Sequence, residues 1–141
     1  MPLLTAADYP AIRAALDISL TSAELPDLII GLDMYVGAAQ RAIRARDPIA
    51  ESRTGDDLAR VRLAAMLWCA ALLVPALPQI ASETHGDDTY RRQTSDPLAV
   101  ALELRGRAEA ELAAVLNAGT GSRTPRPFAY TRAARFTIDM D

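Results

Sequence analysis

The sequence predicts an all-α fold: a small bundle of about four helices, a long loop between helices 3 and 4, and an extended, strand-like C-terminal arm. The prediction rests on composition, on spacing and on punctuation. Half of the 141 residues are apolar but only 5% are aromatic. The core is therefore built from Leu, Ile, Val and above all Ala, and Ala and Leu are the best helix formers. Apolar residues recur at 3–4 spacing in successive stretches, each opened by a capping signal. The length predicts one domain, with a helical body over residues 1–118 and a linker and arm over 119–141.

The first stretch opens at Pro2–Leu3–Leu4. Thr5 or Asp8 can cap a short helix carrying Pro10 in its first turn, with Ile12, Ala15 and Leu16 on one face. Thr21 and Glu24 have capping-box spacing, and Pro26 suits an early helical turn. The second helix is expected to run unbroken to about Arg46. Its stripe is Leu28, Ile29, Leu32, Tyr35, Val36, Ala39, Ala42 and Ile43. Gly31 and Gly37 inside it each cost about 1 kcal/mol relative to Ala, so close approach of another backbone is expected there. Arg41, Arg44 and Arg46 gather where the helix dipole favours cations, and Asp47–Pro48 ends the helix.

Thr54–Gly55–Asp56–Asp57 opens the third helix, which runs to about Val74 and is apolar on nearly every side after Arg62. Such a helix is surrounded by protein, and burial against a neighbouring subunit is one way to achieve that. Residues 63–80 approach the length of a membrane span. Pro75, Pro78 and the abundant Ala favour a core helix ended by proline instead. Residues 82–95 then read as a polar loop, a length that is uncommon without a purpose. Asp96–Pro97 opens the fourth helix. Its expected face is Leu98, Ala101, Leu102, Ala108, Leu112, Val115 and Leu116, with a Glu103–Arg107 pair on its surface and Gly119 at its end. Residues 119–127 are a linker. Beyond them Phe136, Ile138 and Met140 alternate with Thr137, Asp139 and Asp141, a strand pattern that calls for a partner, such as a strand edge on a neighbouring chain.

All fifteen basic residues are Arg and the net charge is −3. Residues 1–118 carry 11 Arg and 16 acids, giving −5, and residues 119–141 carry 4 Arg and 2 acids, giving +2. An acidic body is a poor profile for a nucleic-acid binder. The single cysteine, Cys69, excludes an intramolecular disulfide framework. Met1–Leu20 carries Asp8, Arg13 and Asp17 and does not read as a secretory signal.

The sequence offers little for catalysis, and the chain is read as a non-enzyme without cofactor or metal. His85 is the only histidine. Glu83, Asp87 and Asp88 could hold a cation weakly but lack the calcium-loop pattern. Gly119–Thr120–Gly121–Ser122 follows a helix instead of a strand and reads as linker, not as a phosphate cradle. Trp68 reads as a core anchor. Arg91, Arg92, Arg123, Arg126, Arg132 and Arg135 are surface charge, interface salt-bridge partners or phosphate contacts.

The stretch Ala70–Tyr90 resembles the head-to-tail connector (adaptor, or head-completion) proteins of long-tailed phages. In that family an Ala/Leu-rich helix leads to a Ser-Glu-x-x-Gly-Asp-Tyr-Ser/Thr-Tyr segment, matched here by Ser82–Glu83–Thr84–His85–Gly86–Asp87–Asp88–Thr89–Tyr90, followed by another helix. Asp88 stands where the family commonly has an aromatic residue. The Leu-Thr-x-x-Asp-Tyr-Pro block (Leu4–Pro10) and the Leu-Thr-x-x-Glu-Leu-Pro block (Leu20–Pro26) suit the same pattern, and the likeness covers about residues 3–116. It implies a structural virion protein: a homo-oligomeric ring, twelvefold in the family, at the phage neck. Such a ring joins the portal to a tail or neck protein, extends the DNA channel with non-specific contact to packaged DNA, and has no membrane partner. Its expected location is the virion head–tail interface, and the host cytoplasm during assembly. The expected portal or neighbour interface is Ser82, Glu83, Gly86, Asp87, Thr89, Tyr90, Arg91 and Arg92. The expected arm interface is Arg126, Phe128, Tyr130, Arg132, Arg135, Phe136 and Ile138. The alternative is a small helical binding or regulatory module, recognising protein or nucleic acid without catalysis.

Overall fold

The structure, a computed structural model, describes residues 2–16, 20–84 and 96–119. It is mostly helical, with no strand among the described residues. A 3-10 turn over Ala6–Asp8 leads into α1 (Tyr9–Leu16); one turn of helix, α2, spans Asp27–Ile30; a π-helical segment over Asp33–Gly37 runs into α3 (Ala38–Arg46). The long α4 (Gly55–Leu73) passes through a 3-10 turn, Val74–Ala76, into α5 (Leu77–Thr84), and α6 spans Pro97–Gly119.

The two Leu-Thr blocks build the same turn. The backbone N–H of Thr5 donates to Asp8 Oδ2 at 2.8 Å and its hydroxyl to the same oxygen at 3.2 Å. Thr21 repeats this on Glu24 Oε2, at 2.9 and 3.2 Å. In both, the N–H of the acid closes the turn on the threonine carbonyl. Arg13 of α1 joins the blocks: its Nε donates to the Leu25 carbonyl at 2.8 Å, and its guanidinium pairs with Asp27. Leu3 and Leu4 are pinned by the side chain of Gln40, which accepts both backbone N–H groups.

The second helix is not continuous. Leu32 is extended (φ −62°, ψ 143°), so the apolar phase resets there. Leu28 and Leu32 of the expected stripe are exposed, at 79% and 41%, whereas Ile30 is buried with Tyr35, Val36, Ala39 and Ile43. The nearest neighbours of the two glycines are side chains and, at Gly31, the carbonyl of Asp27 four residues back, instead of the expected backbone of another element. A Cβ on Gly31 would lie 2.9 Å from the Tyr9 hydroxyl, and one on Gly37 would lie 2.0 Å from Asp33 Oδ1. The missing Cβ at Gly37 is what lets Asp33 reach Arg41, at 2.9 Å.

Helix α4 is the centre of the fold, flanked by α1, α3 and α6. Its Ala residues allow that: Ala64, Ala65, Ala70 and Ala71 are buried on different sides of it, with Val61, Leu67, Cys69 and Leu73. The chain's own helices therefore cover most of the apolar surface for which a neighbouring subunit was one possible cover, leaving Leu63 37% exposed. The span Gly55–Ile80 is long and apolar enough to cross a membrane by length and composition, and over half of its most apolar window is buried inside the fold, as in a core helix. Pro75 and Pro78 do not stop the chain: each sits in the first turn of a new helical element, where a missing N–H costs nothing. Residues 82–84, expected in the loop, thus belong to α5.

Candidate interaction surface

The residues singled out for docking divide sharply. Ser82 and Glu83 lie in the last turn of α5. Gly86, Asp87, Thr89, Tyr90, Arg91 and Arg92, together with His85 and Asp88, lie outside the described residues, as do Arg126, Phe128, Tyr130, Arg132, Arg135, Phe136 and Ile138. The structure does fix where segment 85–95 leaves and rejoins the body. It leaves at Thr84 and rejoins at Asp96, whose carboxylate accepts the Ala99 N–H at 3.2 Å and caps α6.

At that entry to α6 the body carries an open apolar groove of about 260 Å³. Trp68, Ala71, Leu72 and Pro75 come from the end of α4 and the turn after it; Leu98, Ala101, Leu102 and Arg105 come from α6. Leu98 and Leu102 are 68% and 60% exposed, contrary to the expectation that they face the core. The inward stripe is instead Leu104, Ala108, Leu112 and Val115. Residues two positions apart on a helix point about 200° apart, so with Leu104 turned inward Leu102 faces out. The signal was present: counting back by 3–4 from Leu112 through Ala108 reaches Leu104, not Leu102.

Trp68 closes the groove floor and is 5% exposed. Arg46 of α3 stacks 4.4 Å from its ring centroid and Arg105 of α6 stacks 4.7 Å from it. Arg46 also pairs with Glu109, while Arg105 holds no ion pair among the described residues. The expected Glu103–Arg107 pair does not form there either, and both side chains are exposed. A second hollow, about 310 Å³, lies between Pro2, Leu3 and Thr5 on one side and Glu51, Leu58 and Arg62 on the other. Arg62 closes it by pairing with Asp8 at 2.6 Å. Burial by itself pushes the Asp8 carboxyl up; the Thr5 N–H and the Arg62 guanidinium outweigh it and hold the group below its ordinary range.

Among the described residues no three His, Cys, Asp or Glu side chains stand close enough to hold a metal ion. Cys69 is fully buried, and burial pushes its thiol up to about 12, so it is no nucleophile at neutral pH. Most of the body's cations are spent on its own carboxylates. Arg44 pairs with Glu51, Arg60 with Glu111, and Arg53 with the buried Asp47. What the described surface offers is an apolar recess at the entry to α6, lined in part by Arg105, which holds no ion pair among the described residues. No protein-family model, characterised protein or solved structure matches the chain.

Proposed function

We propose that the chain is a non-catalytic structural subunit that assembles into a ring at the neck of a tailed phage, between the portal and the next neck or tail protein. The observation that carries this reading is the Ser82–Tyr90 segment. It is similar to the Ser-Glu-x-x-Gly-Asp segment of phage connectors, it begins in the last turn of α5, and it precedes the entry to α6 in the sequence, where Leu98 and Leu102 stand exposed. A helical body whose core and charges are largely satisfied internally suits a rigid ring element, and cyclic head-to-tail contacts close such rings. In this reading Gly86 permits the turn of the docking segment, Tyr90 anchors it, and Arg91 and Arg92 meet carboxylates or phosphates of the partner.

The test is to co-express the chain with the portal protein of the same genome and to examine the product by native mass spectrometry and negative-stain electron microscopy. A ring seated on the portal is expected, weakened by Tyr90→Ala and by joint substitution of Arg91 and Arg92 with Ala. No association under any assembly condition overturns the reading. A gel shift with steep salt dependence in the absence of portal binding would favour the nucleic-acid-binding module instead.

A further inference from the structure

We propose that the apolar groove between α4 and α6 is the seat of the chain's own C-terminal segment, with Phe136, Ile138 and Met140 lying along Leu98, Leu102 and Trp68. The inference goes beyond the connector reading and does not depend on it.

The sequence leaves Phe136–Asp141 as an alternating segment in need of a partner. Among the described residues there is no strand whose edge it could extend, so a partner within this body must be met through side chains. The groove is a hollow with apolar side chains open to receive them, Leu98 and Leu102 being more than half exposed; Leu28, Met34 and Ile49 are exposed as well but do not line it. Segment 85–95 adjoins α6 in the sequence but is nearly all polar, and Tyr90 is its one large ring. The apolar groups that match the groove come from the arm.

Spacing and charge fit as well. In an extended chain, side chains two apart point the same way and lie about 7 Å apart. Leu98 and Leu102 are separated by about 6 Å along α6. Phe136, Ile138 and Met140 would face inward, turning Asp139 and Asp141 to the rim, where Arg105 holds no carboxylate among the described residues. The reach suffices. From Leu102 to Gly119 is about 25 Å of helix, and the 16 residues from Thr120 to Arg135 extend to about 53 Å at most. A tether of this length gives an effective concentration near the millimolar range, which favours the chain's own groove over another copy's in dilute solution.

Thiol accessibility in the full chain tests this. Leu102→Cys puts a thiol on the groove wall, and Ala113→Cys puts one on an exposed face of the same helix. Cys69 stays silent because it is buried. The groove thiol should react with a small disulfide reagent at least about tenfold more slowly than the control, the protection given by about 90% occupancy. Adding Phe136→Asp and Ile138→Asp should abolish the difference. A chain carrying both Leu102→Cys and Ile138→Cys should oxidise to a disulfide within one chain at any dilution. Equal rates at the two positions, or protection indifferent to the arm substitutions, would overturn the proposal. So would a disulfide joining two chains that fades on dilution, since a second copy would then hold the groove. All of these measurements use the free chain, so their failure is separate from a failure to bind portal.

Discussion

Asp47 and Arg53 offer the sharpest test of how the body is held together. Asp47 is 1% exposed. Arg53 approaches it with both arms of the guanidinium, Nε to Oδ2 at 2.5 Å and Nη2 to Oδ1 at 3.2 Å. The backbone of Asp47 is used too, its N–H bonding Ile43 and its carbonyl receiving Ala50. Breaking a buried pair from one side costs about 3–5 kcal/mol, mostly from the charge left behind. Asp47→Ala strands a guanidinium that is 13% exposed, but Asp57 remains 3.9 Å from it. The expected loss is therefore at the lower end, about 3 kcal/mol, or roughly 10 °C in Tm for a chain of this length. Arg53→Met strands the more deeply buried carboxylate, with an expected loss nearer 5 kcal/mol. The double variant leaves no orphan charge, so its loss should fall short of the sum by at least about 2 kcal/mol. Urea unfolding followed by circular dichroism measures all three. Additive losses, or single losses below about 1 kcal/mol, would refute the claim that this pair is buried and mutually dependent.

Further outcomes follow from single features. Gly55 has φ +60° and nothing within 4 Å of a built Cβ, so Gly55→Ala should cost about 1–2 kcal/mol through backbone strain alone, with Gly55→Asn milder, as urea unfolding would register. The Cys69 thiol, buried and pushed up to about 12, should react with thiol reagents at pH 8 only as fast as the fold opens. A denaturant-independent reaction would contradict its burial. Asp8 is held below its ordinary value of 3.8, so the unfolded chain takes up its proton first. That contribution is fully present above the ordinary value and is lost as pH falls through the lower native one. Asp8→Asn should flatten the acid limb of stability against pH, and an unchanged limb would show that the Arg62 contact adds nothing.

The helical class was legible because α4 and α6 are long and start where the sequence marks them, at Thr54–Gly55 and Asp96–Pro97, although only Asp96 caps its helix with its side chain. The Thr21–Glu24 spacing named a turn that does form, though it leads into one short helical turn and then a break. That break at Leu32 was hidden, since Leu28, Ile29 and Leu32 keep 3–4 spacing up to it. Nothing local announces that Ile30 turns inward instead. Asp47 read as a helix stop before Pro48, which it is. Its burial depends on Arg53, six residues on, a separation that no helical or strand period links. The groove was less legible: Leu98, Ala101 and Leu102 are spaced like core residues among themselves, and only a register carried back from Leu112 through Ala108 selects Leu104 over Leu102.

Each of the seven arginines from Arg13 to Arg62 sits against a carboxylate of the same body. Opposite charges so close cancel in the far field, and ions in solution screen what remains within about 10 Å. An approaching macromolecule therefore senses little of that half of the chain's basic charge. Ionic-strength dependence of any association would report chiefly on the eight arginines after Thr84. The slope against salt concentration would thus count how many of those eight arginines a charged partner engages before any complex is imaged.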